Sequence, residues 1–410
     1  MGAGGYGSAE APLTFAALQA RYSPVFDSIA TGALERERGR IQPFEQIAWL
    51  RETGFTAVLV PPRFGGQGAD LHQLFRLLID LAEADSNLPQ VLRSHFSFVE
   101  QFQTMFPPSV AQPLLQRAAA GTIFGNASHE RSAAVVGQYA TTGVRSDDGE
   151  WTLTGTKYYS TGSLFSDEIL VPARVGDGVR VFVVPARANG VTLLDDWDGF
   201  GQRLTGSGTT VFDSVRLPDE AVLKVDAPSH THLTAFAQLV LLAVLVGIAR
   251  AAVRDAAAFV RTRTRTFSHA AAGTPAADPL VQEVIGRASA LAYAAEATCL
   301  AAVGQLQLAH EAIVGGAGGA DDLIEQAEFA AVRAQLPVIR LVLETTTLIF
   351  EVGGASATSV ERQWDRHWRN ARTVASHNPA IYQARLIGDH VVNGAALQYG
   401  WATGETSTGA

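Results

Sequence analysis

Ten histidines and one cysteine are the side chains of this 410-residue chain that could hold a metal or act as nucleophiles, and their spacing argues against both roles. The histidines are dispersed and no Cys/His pair stands at ligand spacing, so no metal site is expected. Cys299 lies in the Ala-rich stretch 294–302 and is read as a small buried thiol. His230 and His232 straddle a Pro/Ser segment and are read as a solvated linker. Gly206, Ser207 and Gly208 lead into a strand, so the phosphate-cradling logic of a helix N-terminus does not apply to them. Gly353 and Gly354 follow a helical segment and form no dinucleotide turn, although their backbone could approach a ligand closely. Two histidines stay open. His95, in RSHFSF, sits on a helical pattern beside apolar residues, where a core role and a catalytic role fit equally. His377 precedes Asn378 and Pro379, where an imidazole could decorate a loop or handle a proton.

The elements that must position these residues divide the chain. From Leu13 to Ala120 apolar residues recur at helical spacing, as in Leu71, Leu74, Leu77, Leu78 and Leu81 behind Asp70, a predicted N-cap. The paired prolines and glycines of VPPRFGGQG (60–68) force a loop inside this helical region. Between Gly121 and Val225 β-branched and aromatic runs predict strands over 151–161, 168–175, 179–184 and 209–217. Asp147-Asp148-Gly149 and Arg187 to Gly190 are read as hairpin turns. From Leu233 onward long Ala/Leu/Val-rich segments return, over 280–313 and 322–352, separated by the turn Gly315 to Gly319 and carrying Pro337, where a kink is expected. The expected organisation is a tail over 1–12, a helical domain over 13–120, a β domain over 121–228 and a helical bundle over 229–410, an α+β chain.

Composition narrows the partners. A net charge of −9 with scattered Lys and Arg offers no basic face for nucleic acid or anionic lipid. The apolar run 239–249 is too short to span a bilayer and is read as a buried helix. Residues 1–10 carry no basic region, apolar run or cleavage pattern, and a reducing cytoplasm fits the single cysteine.

Several motifs, spread over nearly the whole chain, resemble the acyl-CoA dehydrogenase superfamily. LRETGF and VPPRFGGQGAD are similar to its N-terminal helical domain. GTKYYSTG (155–162) is similar to the strand that lies against the flavin, and the run ending FDSVRLP to the strand that follows. YYSTGSLFSD, WDGFGQRLTGSGTT and DRHWRNART resemble more closely its oxygenase branch, typified by dibenzothiophene monooxygenases. The resemblance implies an N-terminal helical domain, a central β-barrel-like domain and a C-terminal four-helix bundle. It also implies a homotetramer, a small-molecule substrate, and reduced FMN (FAD remaining open) delivered by a separate flavin reductase.

A departure separates the chemistries. Dehydrogenases of this superfamily commonly carry a carboxylate base where this chain reads RNARTVASHNP, offering His377 and Asn378 instead. An oxygenase needs reduced flavin to react with O2 and form a C4a-hydroperoxide, which survives only where water is excluded and neutral donors surround it. The resemblance places such catalytic roles on His95, Asn126, Ser163 and His377. It places flavin contacts on Asn126, Tyr159, Ser160, Thr161 and Ser163, and on the backbone of Gly353 and Gly354. Flavin phosphate contacts fall on Arg263 or Arg265, often across a subunit interface. Val374 stands where the oxygenases most like this chain carry a second histidine. A dehydrogenase with a displaced base and a non-catalytic flavin-binding or scaffold subunit are the alternatives.

Overall fold

The computed structural model describes residues 13–131, 138–223, 231–316 and 318–397. The tail assigned to 1–12, and His230, lie outside them.

Six helices come first: α1 (Phe15–Thr31), α2 (Ala33–Gly39), α3 (Phe44–Glu52), α4 (Leu71–Ala84), α5 (Asn87–Thr104) and α6 (Pro108–Ala119). Asp70 caps α4 as expected: its carboxylate accepts the Gln73 N–H while the Gln73 side chain returns to the Asp70 N–H. The loop 60–68 holds only a single 3-10 turn at Pro62–Phe64.

The strands follow: β1 (Phe124–Asn126), β2 (Thr142–Arg145), β3 (Trp151–Lys157), β4 (Glu168–Val175), β5 (Gly178–Pro185), β6 (Val191–Leu193), β7 (Thr210–Leu217) and β8 (Val222–Leu223). They form one mixed eight-stranded sheet in the order β6-β7-β3-β2-β4-β5-β8, with β1 pairing parallel to β4. The β2–β3 hairpin turns at Asp147 to Gly149 as expected. The turn at 187–190 makes no hairpin: β6 pairs with β7, not with β5. Turn chemistry marks where the chain reverses and says nothing about which strand it meets next. The strand expected over 151–161 stops at Lys157, because Tyr159 adopts a positive φ of 58° that no strand accepts.

The C-terminal region consists of α7 (Leu233–Thr262), α8 (Pro279–Val314), α9 (Ala320–Leu348), α10 (Asp365–Ala375) and α11 (Ala380–Asn393). Helix α9 runs through Pro337 without interruption. Helix α7, 30 residues long, is long and apolar enough to cross a membrane, yet 83% of its most apolar window is buried inside the protein. It is the central rod of the largest core, which α4, α5, α8 and α9 line together, whereas the sheet has a smaller core of its own around Leu153, Phe182 and Phe212. Burying Leu239 to Ala249 on every side explains why their pattern is continuous rather than amphipathic.

Candidate active site

Beyond β3 the chain leaves the sheet as Tyr158 to Gly162 and enters a short 3-10 turn at Ser163–Phe165. Gly162 sits at φ +85°, and a Cβ there would fall 2.2 Å from the Val91 carbonyl oxygen of α5. This glycine lets the loop press against α5. Gly162→Ala should therefore cost on the order of 3 kcal/mol, through a strained φ and a backbone clash together. Denaturant unfolding would measure the loss, and an unchanged midpoint would mean that the contact is dispensable.

Close packing places the loop's polar groups. The Ser163 hydroxyl donates to the Asn126 carbonyl at 2.9 Å, and the Ser128 hydroxyl donates to the Asn126 side-chain oxygen. Thr161, Ser207 and Thr205 join their hydroxyls at 2.7 Å per step. Ser160 is buried and its Oγ has no partner among the described residues. Tyr159 is exposed and packs edge-on against Trp197.

His377 enters from the turn after α10. Its Nε2 accepts from the Arg93 guanidinium of α5 at 3.1 Å, and its Nδ1–H donates to Asn378 Oδ1 at 2.8 Å. Asn378 is held by Gln238 of α7 through its side-chain amide and by Gln335 of α9 through its carbonyl. Crowding by protein, then the Arg93 cation and His129, push the His377 pKa down to about 3, while the Asn378 contact opposes them. The ring also has a solvent-exposed side, which tempers the size of the shift without reversing it. At neutral pH the ring is neutral. It is no reservoir of protons near its ordinary pKa; it offers a fixed tautomer whose Nε2 lone pair is held by the Arg93 guanidinium. His129, three residues beyond Asn126, is lowered as well, by burial, Arg93 and Lys157.

His95 stands apart. It is fully buried, its Nε2–H donating to the Thr56 carbonyl at 2.7 Å and its Nδ1 accepting the Phe124 N–H, with the ring stacked on Phe124. Both nitrogens are committed to backbone, so His95 anchors the start of β1 rather than reaching the cleft. Val374 is likewise turned into the core with Ala371 and Ala375.

Arg263 and Arg265 lie beyond the end of α7, with Arg263 donating to the Gly353 carbonyl at 2.7 Å. The structure thus joins Arg263 to the Gly353-Gly354 turn. Along α7 this corner lies roughly 37 Å from Gln238, at about 1.5 Å per residue. That is farther than a flavin mononucleotide reaches. Two cavities of about 450 and 470 Å³ also lie elsewhere, one beside Asp255 and His367 and the other beside Lys157 and Asp196.

His232 is not a solvated linker residue. It is buried and donates to Glu100 of α5 at 2.6 Å, while His310 of α8 donates to the same carboxylate oxygen at 2.7 Å. A distant carboxylate recruits it, which its local Pro/Ser context hides.

Two family models match this chain and together cover more than half of it: "Acyl-CoA dehydrogenase, middle domain" over residues 127–215 and "Acyl-CoA dehydrogenase, C-terminal domain" over 239–380. The chain belongs to the acyl-CoA dehydrogenase superfamily. It is 29% identical to a dibenzothiophene monooxygenase of Mycolicibacterium goodii, over 88% of this chain and 90% of that protein. Among solved structures, TdsC of Paenibacillus sp. A11-2, in complex with FMN and indole, superposes with a TM-score of 0.84 at 26% identity, covering 92% of this chain and 98% of that one. The methanesulfinate monooxygenase MsuC of Pseudomonas fluorescens superposes with a TM-score of 0.84 at 25% identity, covering 93% and 98%. These relatives are monooxygenases that share the superfamily's fold. The superfamily motifs also touch in space: Asn370, from DRHWRNART, accepts the backbone N–H of Gln202, from WDGFGQRLTGSGTT.

Proposed function

We propose that this chain is the oxygenase component of a two-component, cytoplasmic, FMN-dependent monooxygenase acting on a small apolar or aromatic substrate, organosulfur compounds first among them. The observation that carries the reading is the Arg93–His377–Asn378 cluster: neutral and cationic hydrogen-bonding groups occupy the place where a dehydrogenase would need a carboxylate base. The polar groups around the cleft fit a flavin, because among the described residues the buried Ser160 Oγ and Gln90 Oε1 have no hydrogen-bond partner of their own. Asn126, Tyr159, Ser160, Thr161 and Ser163 would hold the ring.

When bound, reduced FMN supplies two electrons to O2, so that one oxygen atom passes to the substrate and the other leaves as water. The protein residues orient and shelter the reactants. Ser163 and Asn126 fix hydrogen-bonding groups at the ring edge, the packed 158–163 loop excludes water, and His377 Nε2 takes the proton of an oxygen bound beside it when Arg93 turns its N–H from the imidazole to that ligand. The separation of Arg263 and Gly353 from His377 supports a homotetramer in which one protomer's arginine corner grips the phosphate of a flavin whose ring lies in another protomer. Among the described residues no strand of the mixed sheet runs through a Gly-x-Gly-x-x-Gly turn into a helix, which supports a separate reductase as the source of reduced flavin.

The dehydrogenase reading has one physical candidate, Glu328, a buried carboxylate whose pKa burial pushes up to about 8. Its oxygen is taken by the Ala235 N–H and it is sealed inside the bundle. Anaerobic stopped-flow separates the readings. Protein mixed with reduced FMN and then oxygenated buffer should show a lag before oxidised flavin returns, and Ser163→Ala should shorten that lag on the order of tenfold, the equivalent of one hydrogen bond. Reoxidation at the rate of free flavin, with bleaching of oxidised flavin by acyl-CoA, would overturn the proposal in favour of dehydrogenation.

A further inference from the structure

Among the described residues, Arg93 is a cation without an anion. It is half-buried, its Nε is enclosed with no partner, and its one side-chain hydrogen bond goes to a neutral imidazole. Among the described residues no carboxylate pairs with it, in contrast to Arg36, whose buried guanidinium is matched by Asp85 at 2.9 Å. Desolvation alone draws its pKa down, to about 10, so it stays charged at neutral pH. Its two titratable neighbours, His129 and His377, are both driven towards their neutral forms, by burial first and by the Arg93 charge second. A half-buried cation left uncompensated by the fold is costly unless a ligand supplies the counter-charge.

We propose that Arg93 is the recognition site for the anionic head group of the substrate, and that the natural substrate class is a small organic oxyanion, a sulfinate or a carboxylate carrying an oxidisable sulfur. The guanidinium fork matches two oxygens of such a group, a geometry a lysine would not offer. The inference rests on the monooxygenase reading. For a sulfinate the reaction is R–SO2⁻ + FMNH2 + O2 → R–SO3⁻ + FMN + H2O. The sulfur lone pair forms the new S–O bond, the O–O bond breaks, and the flavin's two electrons and two protons reduce the other oxygen to water. His377, already bonded to Arg93, would then stand beside the atom that is oxidised.

The test uses benzenesulfinate, benzoate and neutral thioanisole as probes matched in size. Calorimetric titration of the purified full chain should show benzenesulfinate and benzoate binding in wild type and at least tenfold weaker in Arg93→Met, with partial recovery in Arg93→Lys. With reduced FMN supplied, Arg93→Met should lower kcat/KM for benzenesulfinate at least tenfold more than for thioanisole, and benzoate should inhibit without being oxygenated. Equal binding of benzenesulfinate to wild type and Arg93→Met, or equal losses for the anionic and neutral probes together with weakened binding of reduced FMN, would overturn the proposal and give Arg93 to the flavin. The binding arm needs no flavin. If wild type fails to delay flavin reoxidation yet binds benzenesulfinate through Arg93, the monooxygenase reading falls and the anion site stands.

Discussion

Coupled oxygenation by a His377→Ala variant should fall on the order of 100-fold or more relative to wild type, measured as product formed per reduced flavin consumed, with little change in unfolding midpoint. The asymmetry between the two readouts follows from placement. His377 lies in a turn with one face open to solvent, so few packing contacts are lost, whereas its Nε2 is the outward acceptor beside Arg93. When Arg93 turns its N–H to a bound ligand, that lone pair is freed for a proton on an oxygen atom in the cleft, and alanine offers nothing. The pH dependence carries a second expectation. With its folded pKa depressed towards about 3 from 6.5, His377 is already neutral throughout the working range, and no break in rate near pH 6.5 should belong to it. The sign for stability is that of a depressed base: the neutral ring costs nothing above pH 6.5, and the native state loses stability as pH falls from there towards 3. Retention of more than a third of wild-type coupling by His377→Ala would remove the residue from the chemistry.

Glu100→Ala should be among the most destabilising single substitutions in the protein, by about 3–5 kcal/mol, because it leaves one buried and one half-buried imidazole N–H without their acceptor. Glu100 is wholly buried on α5 and takes a hydrogen bond from His232, at the start of α7, and another from His310 of α8, fastening three helices at one point. Glu100→Gln, which keeps an acceptor and loses the charge, should cost less and should show how the network titrates. Burial opposes the Glu100 charge, yet the two histidines outweigh it and hold its pKa down at about 2, so its contribution is complete above the ordinary 4.5 and is lost as pH falls through 2. His310 is shifted upwards because its bonds to Glu100 outweigh burial, so its contribution is complete below 6.5 and fades as pH rises through its folded value. The stability gap between wild type and Glu100→Gln should therefore peak between pH 4.5 and 6.5 in denaturant titrations run across the pH range. A gap that is flat across pH would mean that the charge is irrelevant and only shape matters.

The same two clusters show what a linear sequence conceals. Helices and strands were legible because periodicity is local: the Leu71 to Leu81 stripe, its Asp70 cap and the β-branched runs 168–175 and 209–217 all became the expected elements. The loop residues Asn126 and Ser163 were legible through family motifs, and the structure brings them into direct contact. In RSHFSF, however, attention falls on His95 when Arg93 is the residue that meets His377. Two positions apart on a helix lie about 200° apart around it, so only one of them can face the cleft, and the sequence does not say which way the helix is turned. His232 was misread for a related reason. Its partners come from 132 and 78 positions away, and a Pro/Ser setting argues for solvent only until a buried carboxylate claims the ring.

The sheet ends on β6, of three residues, and β8, of two. Strands this short expose few free backbone donors and acceptors, so β6 and β8 themselves are poor templates for the growth of a neighbouring molecule's sheet. Crowding such molecules together should therefore produce contacts between side chains rather than cross-strand polymers. Lengthening either margin by a few β-branched residues is the engineering change most apt to turn a well-behaved catalyst into a fibre.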